Sequence, residues 1–226
     1  MKVLYVIGTM ERGGAETQLL LLMKHIQKKG VNCSLFTFSD GSMKDEFLSL
    51  DINCRIGECS FYVSKLVKMF KMIFLFFNLL IFIKRESPIA IHSFLPLSNF
   101  FAIVAGRFLR VPIVITSRRA LNTHQDRVKG WRWVDRLTAR WSDAVVANSY
   151  AVRQDTLARE GGDPAKIHVI HNAIVWRDFA ISNEDKQRLR DALGLKSEMF
   201  VILNVANLIP YKGHKDLLES FALVKK

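Results

Sequence analysis

Four residues, Gly13-Gly14-Ala15-Glu16, join an apolar segment at 2–8 (KVLYVIG) to a leucine-rich one at 14–29. Glycines at a helix start let a ligand reach backbone N–H groups, where the helix dipole favours negative charge. The spacing is neither G-x-G-x-x-G nor G-x-x-x-x-G-K-[ST], because Ala15 and Glu16 stand where the second loop needs Lys and Ser or Thr. A tight strand-to-helix turn, with Glu16 favoured by the dipole, accounts for the same residues. Both readings stay open. Lys212, in "PYKGH" before a further helix, is either a phosphate ligand or a solvated surface group. His92 is either a core histidine or a cleft residue, and His124 sits in a loop. Asn148 or Ser149 caps the helix at 150–160, which Gly161-Gly162 ends.

Elements that would position these residues alternate along the chain. Strands are expected at 2–8, 31–38, 52–56, 88–92, 111–116, 143–147 and 167–170. Helices are expected at 14–29, 62–84, 97–109, 127–141 and 150–160. Leu19, Leu22, Met23 and Ile26 recur at helical spacing and mark one buried face. Short apolar strands separated by helices predict an α/β, doubly wound parallel sheet of the Rossmann-like kind over residues 1–172. A polar segment, 173–198, follows as a linker. Residues 199–226 repeat the strand, glycine turn and helix of the chain's opening, so they read as the start of a second, truncated α/β domain.

Composition narrows the partners. The net charge is +12 over 226 residues, and between Arg107 and Arg140 nine basic residues face two acids. Such a field draws phosphates, anionic lipid or nucleic acid. Trp131, Val134, Leu137 and Trp141 fall near helical spacing with Arg132, Arg136 and Arg140 on a neighbouring face. Indoles buried in that way leave few rings to stack on bases, so no nucleic-acid partner is expected. Three cysteines (Cys33, Cys54, Cys59) form no C-x-x-C pair, which suits a cytoplasmic, reducing setting. No aspartate cluster or His/Cys spacing implies a metal. The run 69–83 (MFKMIFLFFNLLIFI) reads as a largely buried helix in which Lys65, Lys68, Lys71 and Asn78 form a narrow polar stripe. Its surplus apolar surface also suits an anionic membrane interface, and with it a peripheral location on the cytoplasmic face.

Three motifs in order carry a resemblance: Gly13-Gly14-Ala15-Glu16, then "NS…V…L…G…P.KI.VI.N" within 148–172, then "PYKGH.DL" at 210–217. Together they resemble the family-4 retaining glycosyltransferases of the GT-B fold. The resemblance implies two Rossmann-like domains across a cleft, with the acceptor held by the N-terminal one and a UDP- or GDP-sugar mostly by the C-terminal one. It implies no cofactor and a hexose transferred to a glycan or lipid-linked acceptor. Gly13 and Gly14 become donor-phosphate contacts and Lys212 a diphosphate ligand. Glu16, His92, Ser117, Arg118, Arg119, His124 and Asn148 become cleft or acceptor contacts. The pattern departs from the family at Asn207, where an Arg is usual, and at Ser117-Arg118-Arg119, where a strand-end His is usual. No catalytic residue is singled out. Because 199–226 is only the start of a donor domain, little donor turnover is expected of the 226-residue chain. An inert acceptor- or membrane-binding module is the alternative.

Overall fold

The computed structural model describes residues 1–58, 65–121, 124–128, 130–175, 181–196, 198–206 and 208–224. Of Lys65, His124, Arg127 and Tyr211 it describes the backbone. Two compact units result, Met1–Ile174 and Val175–Lys226.

In the first unit, β1 (Lys2–Ile7), β2 (Asn32–Thr37), β3 (Asn53–Ile56), β4 (Ala90–Phe94), β5 (Ile113–Arg118), β6 (Ala144–Ala147) and β7 (Ile167–Val169) form one parallel sheet. Its order is β3-β2-β1-β4-β5-β6-β7. The connections are α1 (Gly14–Lys28), α2 (Lys44–Leu48), α3 (Lys65–Glu86), α4 (Pro96–Phe108), α5 (His124–Arg127), α6 (Trp131–Trp141) and α7 (Tyr150–Glu160). Parallel strands need crossovers of this length, and helices on both faces explain why the strands read as continuous apolar runs.

Alternation along β1 divides the core. Leu4 and Val6 join Phe36, Ile91 and Val114 beneath α3 and α4. Tyr5 and Ile7 turn the other way and pack with Leu35 against Leu19 and Met23 of α1 and Phe47 of α2. The helical face anticipated for α1 is the buried one: Leu19 and Met23 are fully covered, and Leu22 and Ile26 pack at the margin. Val145 and Ala147 meet Val152 of α7 in a smaller cluster. Strand order reverses between β1 and β4, so the carboxyl ends of these two strands flank the crevice where open α/β sheets receive ligands.

Strands β4 and β5 each end two residues later than their apolar patterns predicted. Three of the four extra residues, Ser93, Ser117 and Arg118, are polar, and they remain in the ladder because Ser93 pairs with Thr116, Phe94 with Ser117 and Arg118 with Ala147. The helix expected at 127–141 is divided: α5 ends at Arg127, and Gly130 (φ 95°) opens α6. α2 was not foreseen.

The second unit contains α8 (Asn183–Ala192), whose N-terminus Ser182 caps by accepting from the Asp185 N–H at 3.0 Å, and α9 (His214–Val224). The residues expected to form a strand after 198 join no ladder among the described residues. Phe200, Leu203 and Val205 are exposed.

Candidate functional site

The segment leaving β1 is fixed before it reaches α1. Met10 is fully buried, and the Met43 N–H donates to its carbonyl at 2.9 Å. Thr9 Oγ1 donates to the Asp40 carbonyl at 3.2 Å, Ser42 Oγ to Glu11 Oε2 at 2.9 Å, and the Arg12 N–H to Ser42 Oγ at 3.1 Å. Arg12 also pairs with Glu46. These bonds press the loop 9–12 onto the loop 39–43. Gly41 permits the approach, because a Cβ there would overlap the backbone of Met10 and Glu11.

Neither residue of the glycine pair needs to be glycine for backbone reasons. Gly13 is the α1 N-cap in extended backbone, φ −145° and ψ 172°, and Gly14 lies outside the left-handed region. A Cβ on Gly13 would overlap the Glu16 carboxylate and touch the Glu11 carbonyl, and one on Gly14 would meet no atom within 4 Å. The first-turn N–H groups of α1 have no intrahelical acceptor. Glu16 lies beside them, buried, and its carboxylate accepts from its own N–H. Burial raises its pKa, and that hydrogen bond offsets only part of the rise.

A second group of residues faces the same carboxyl edge from β4 and β5. His92 pairs in register with Tyr5 and stacks on Phe94, ring centroids 4.6 Å apart. Its Nε2 is hydrogen-bonded to Ser117 Oγ at 2.9 Å. Arg119 continues the line: its guanidinium lies over the Phe94 ring, 5.7 Å from the centroid, and donates to Asn172 Oδ1 at 2.6 Å. Asn148 donates to the Arg119 carbonyl at 2.9 Å. The N-cap of α7 is therefore Ser149, which accepts from the Val152 N–H at 3.2 Å. Among the described residues no carboxylate pairs with Arg119, and burial pushes its pKa down.

Strand alternation removes Arg118 from this group. It points to the opposite face, is 3% exposed, and forms a buried ion pair with Glu160 while donating to Thr138 Oγ1 at 2.8 Å. The expected cleft role for Arg118 is thus replaced by a structural one. His92 is mid-strand rather than at a strand end, and it is part-buried. The side chain of His124 and all of Asn207 lie outside the described residues. Lys212 closes a single turn, Pro210–Lys212, ahead of Gly213 (φ 68°) in the second unit.

The loop 171–174 connects the two groups. Gln18, one turn into α1, donates to the Ala173 carbonyl at 2.6 Å and accepts from the Ala173 N–H at 2.7 Å. Arg119 holds the preceding residue. The helix start after β1 and the end of β5 therefore occupy one rim.

A family model, Glycosyltransferase Family 4, matches residues 12–175. The chain belongs to glycosyltransferase family 4. It is 26% identical to EpsF of Bacillus subtilis (strain 168) over 242 residues, all of this chain and 59% of EpsF. It superposes on HepE of Anabaena, solved in complex with UDP and glucose, with a TM-score of 0.78 at 19% identity, over 99% of this chain and 58% of HepE. A glycosyltransferase from Rickettsia africae matches 99% of this chain and 57% of its own with a TM-score of 0.70 at 16% identity. The family-4 chain thus spans a little under three-fifths of the length of these relatives.

Sequence reasoning missed several residues of this family-4 rim. Gly41 stands in "SDGS" directly after β2, and an Asp-Gly pair there is a turn signal. Gln18 carries no local signal, because its partner is 155 residues away; Asn172 closes the second motif, but its partner Arg119, 53 residues away, is not legible from that motif.

The His92 environment has a pH consequence. Burial first, and the nearby Arg119 charge second, push its pKa down to about 3. An unfolded histidine titrates near about 6.5, so below that pH the unfolded chain binds a proton that the folded one does not. Stability is therefore complete above about pH 6.5 and falls as the pH drops towards the folded value. His92→Gln, which can still bond Ser117, is expected to flatten this slope. Urea midpoints at about pH 7 and about pH 5 measure it; equal slopes in both proteins would show that His92 is solvated.

Proposed function

We propose that this family-4 chain carries the acceptor side and part of the donor side of a retaining hexosyltransferase that uses a nucleotide-diphosphate sugar. One observation carries the reading: Gly14 occupies the first turn of α1 at the topological switch point, although neither backbone conformation nor packing asks for glycine there. Glycine in that position leaves the unfolded chain more freedom than alanine would, a cost of roughly 0.4–1 kcal/mol. Unhindered approach of an anion to the N–H groups is a reason to keep it. The HepE structures containing UDP and UDP-glucose support a nucleotide-sugar as the anion's source.

The chemistry requires negative charge to be stabilised as it develops on the departing diphosphate. The α1 N–H groups meet that need with fixed donors, and Lys212 adds a cation as a proposed diphosphate ligand. Arg119 and the His92–Ser117 pair, on the same rim, are proposed to hold the hydroxyl-bearing sugar or acceptor. Asn148 positions Arg119 through its carbonyl.

The test is turnover of UDP- and GDP-hexoses with glycan and lipid-linked acceptors, by this chain continued to the length of its relatives, with the product anomer read by NMR. Retained configuration is expected, and inversion would overturn the retaining mechanism. Gly14→Ala is expected to raise stability by roughly 0.4–1 kcal/mol while lowering turnover, with Gly14→Val lowering it further. If alanine lowered both stability and turnover, packing would be the reason for the glycine.

A further inference from the structure

The polar stripe of α3 is partly covered by β3, with Lys71 and Asn78 half-buried. Asn78 accepts from Arg55 Nη2 of β3 at 3.2 Å, and Lys71 lines a cavity of about 350 Å³ with Arg55 and Phe36. Lys68 is half-buried, and the side chain of Lys65 is outside the described residues. The inner arc of the helix, Leu75, Leu79 and Ile83, is sealed in the core. What remains outward is apolar: Leu66, Phe70, Phe74, Phe77 and Ile81 are 57–70% exposed. A soluble helix normally presents the reverse pattern. α3 is also apolar enough to cross a membrane by length and composition, with a mean hydropathy of 2.2, but its core contacts hold it flat against the sheet.

Helices α3, α4 and α6 lie side by side on one face of the sheet. Each ends close to the amino end of the next strand, so Lys84, Arg85, Arg110 and Arg140 gather along that edge of the layer. Phe108 is 74% exposed there, and Trp141 42%. Trp133 is 66% exposed, and of the two indoles expected to be buried Trp131 is half-buried and Trp141 outward. Aromatic rings with an apolar body and a polar tip favour the boundary between lipid and water. An apolar helix face, exposed indoles and a basic border match the layered chemistry of an anionic bilayer: hydrocarbon, interface and phosphate.

We propose that the outer surface of the α3–α4–α6 layer docks on anionic lipid, with α3 lying in the interface plane. This reading is independent of the transfer reaction, because the layer lies on the face opposite α1. Arg132 and Arg136 contribute less than sequence suggests, since both guanidinium groups donate to the Arg159 carbonyl.

The experiment is co-sedimentation of the 226-residue protein with vesicles of phosphatidylcholine, with and without phosphatidylglycerol, at low and high salt. Binding is expected on the anionic vesicles and is expected to weaken with salt. Lys84→Glu with Arg140→Glu is expected to weaken it on the order of thirty-fold, from about five-fold per cation. Phe70→Ser, Phe74→Ser and Phe77→Ser together are expected to weaken it about ten-fold or more, with the melting temperature unchanged because these rings are outside the core. Equal recovery on both vesicle types, or a triple serine variant bound like the wild type, would overturn the proposal. Dimerisation through the phenylalanines with no vesicle binding would overturn it in favour of a second copy of the chain.

Discussion

Arg118→Met is expected to lower the unfolding free energy by roughly 3–5 kcal/mol. The Glu160 side chain is 0% exposed, and Arg118 supplies its countercharge, Nη2 to Oε2 at 2.8 Å and Nε to Oε1 at 3.0 Å. Methionine keeps much of the volume but leaves a carboxylate in a medium that cannot solvate it. The same pair joins β5 to α7, and Thr138 of α6 accepts from the same guanidinium, so three elements loosen together. Arg118→Met with Glu160→Met is expected to recover most of the loss, because two packed apolar side chains replace a desolvated pair. Urea denaturation of the single and double variants decides the matter. A double variant as unstable as the single one would show that the stranded charge is not the cause.

Gly41→Val is expected to reduce nucleotide-sugar turnover about a hundred-fold, in the same extended protein used to test transfer. A side chain at 41 must displace the backbone of Met10 and Glu11, which cannot rotate away as a flexible side chain would. The loop 9–12 then carries Gly13 and Gly14 with it. A stability cost of roughly 1–3 kcal/mol accompanies the overpacking. Arg12→Ala provides the comparison: it breaks an exposed pair with Glu46 in the same loop and is expected to cost about 1 kcal/mol or less. The amide resonance of Gly14 should move in the valine variant and stay in place in the alanine one. Unchanged turnover with a displaced Gly14 would separate the loop from the chemistry.

These two positions also show where the sequence was legible. The sheet and the α1 face were readable because Leu4, Val6, Leu19 and Met23 repeat with the period of the element that buries them. The carboxyl edge was not, because β4 and β5 run on through polar residues, Ser93, Ser117 and Arg118, and periodicity is blind to polar residues inside a ladder. A two-residue error at the end of β5 was enough to group Arg118 with Arg119, although alternation sends their side chains to opposite faces. The polar stripe of α3 was visible, but its direction was set by Arg55 on a strand 23 residues away. Gly13 and Gly14 were found by type and spacing, while the absence of a steric demand at Gly14 is visible only in the structure.

The Gln18 carboxamide does for Ala173 what a neighbouring strand would do, supplying one donor and one acceptor to a single peptide unit. The backbone just before the end of the first unit is thereby pinned to α1. The Ala173 amide proton is in turn a natural reporter: its exchange with solvent measures how often the pin opens, and a ligand that shifts α1 would be read there before it was read anywhere further along the chain.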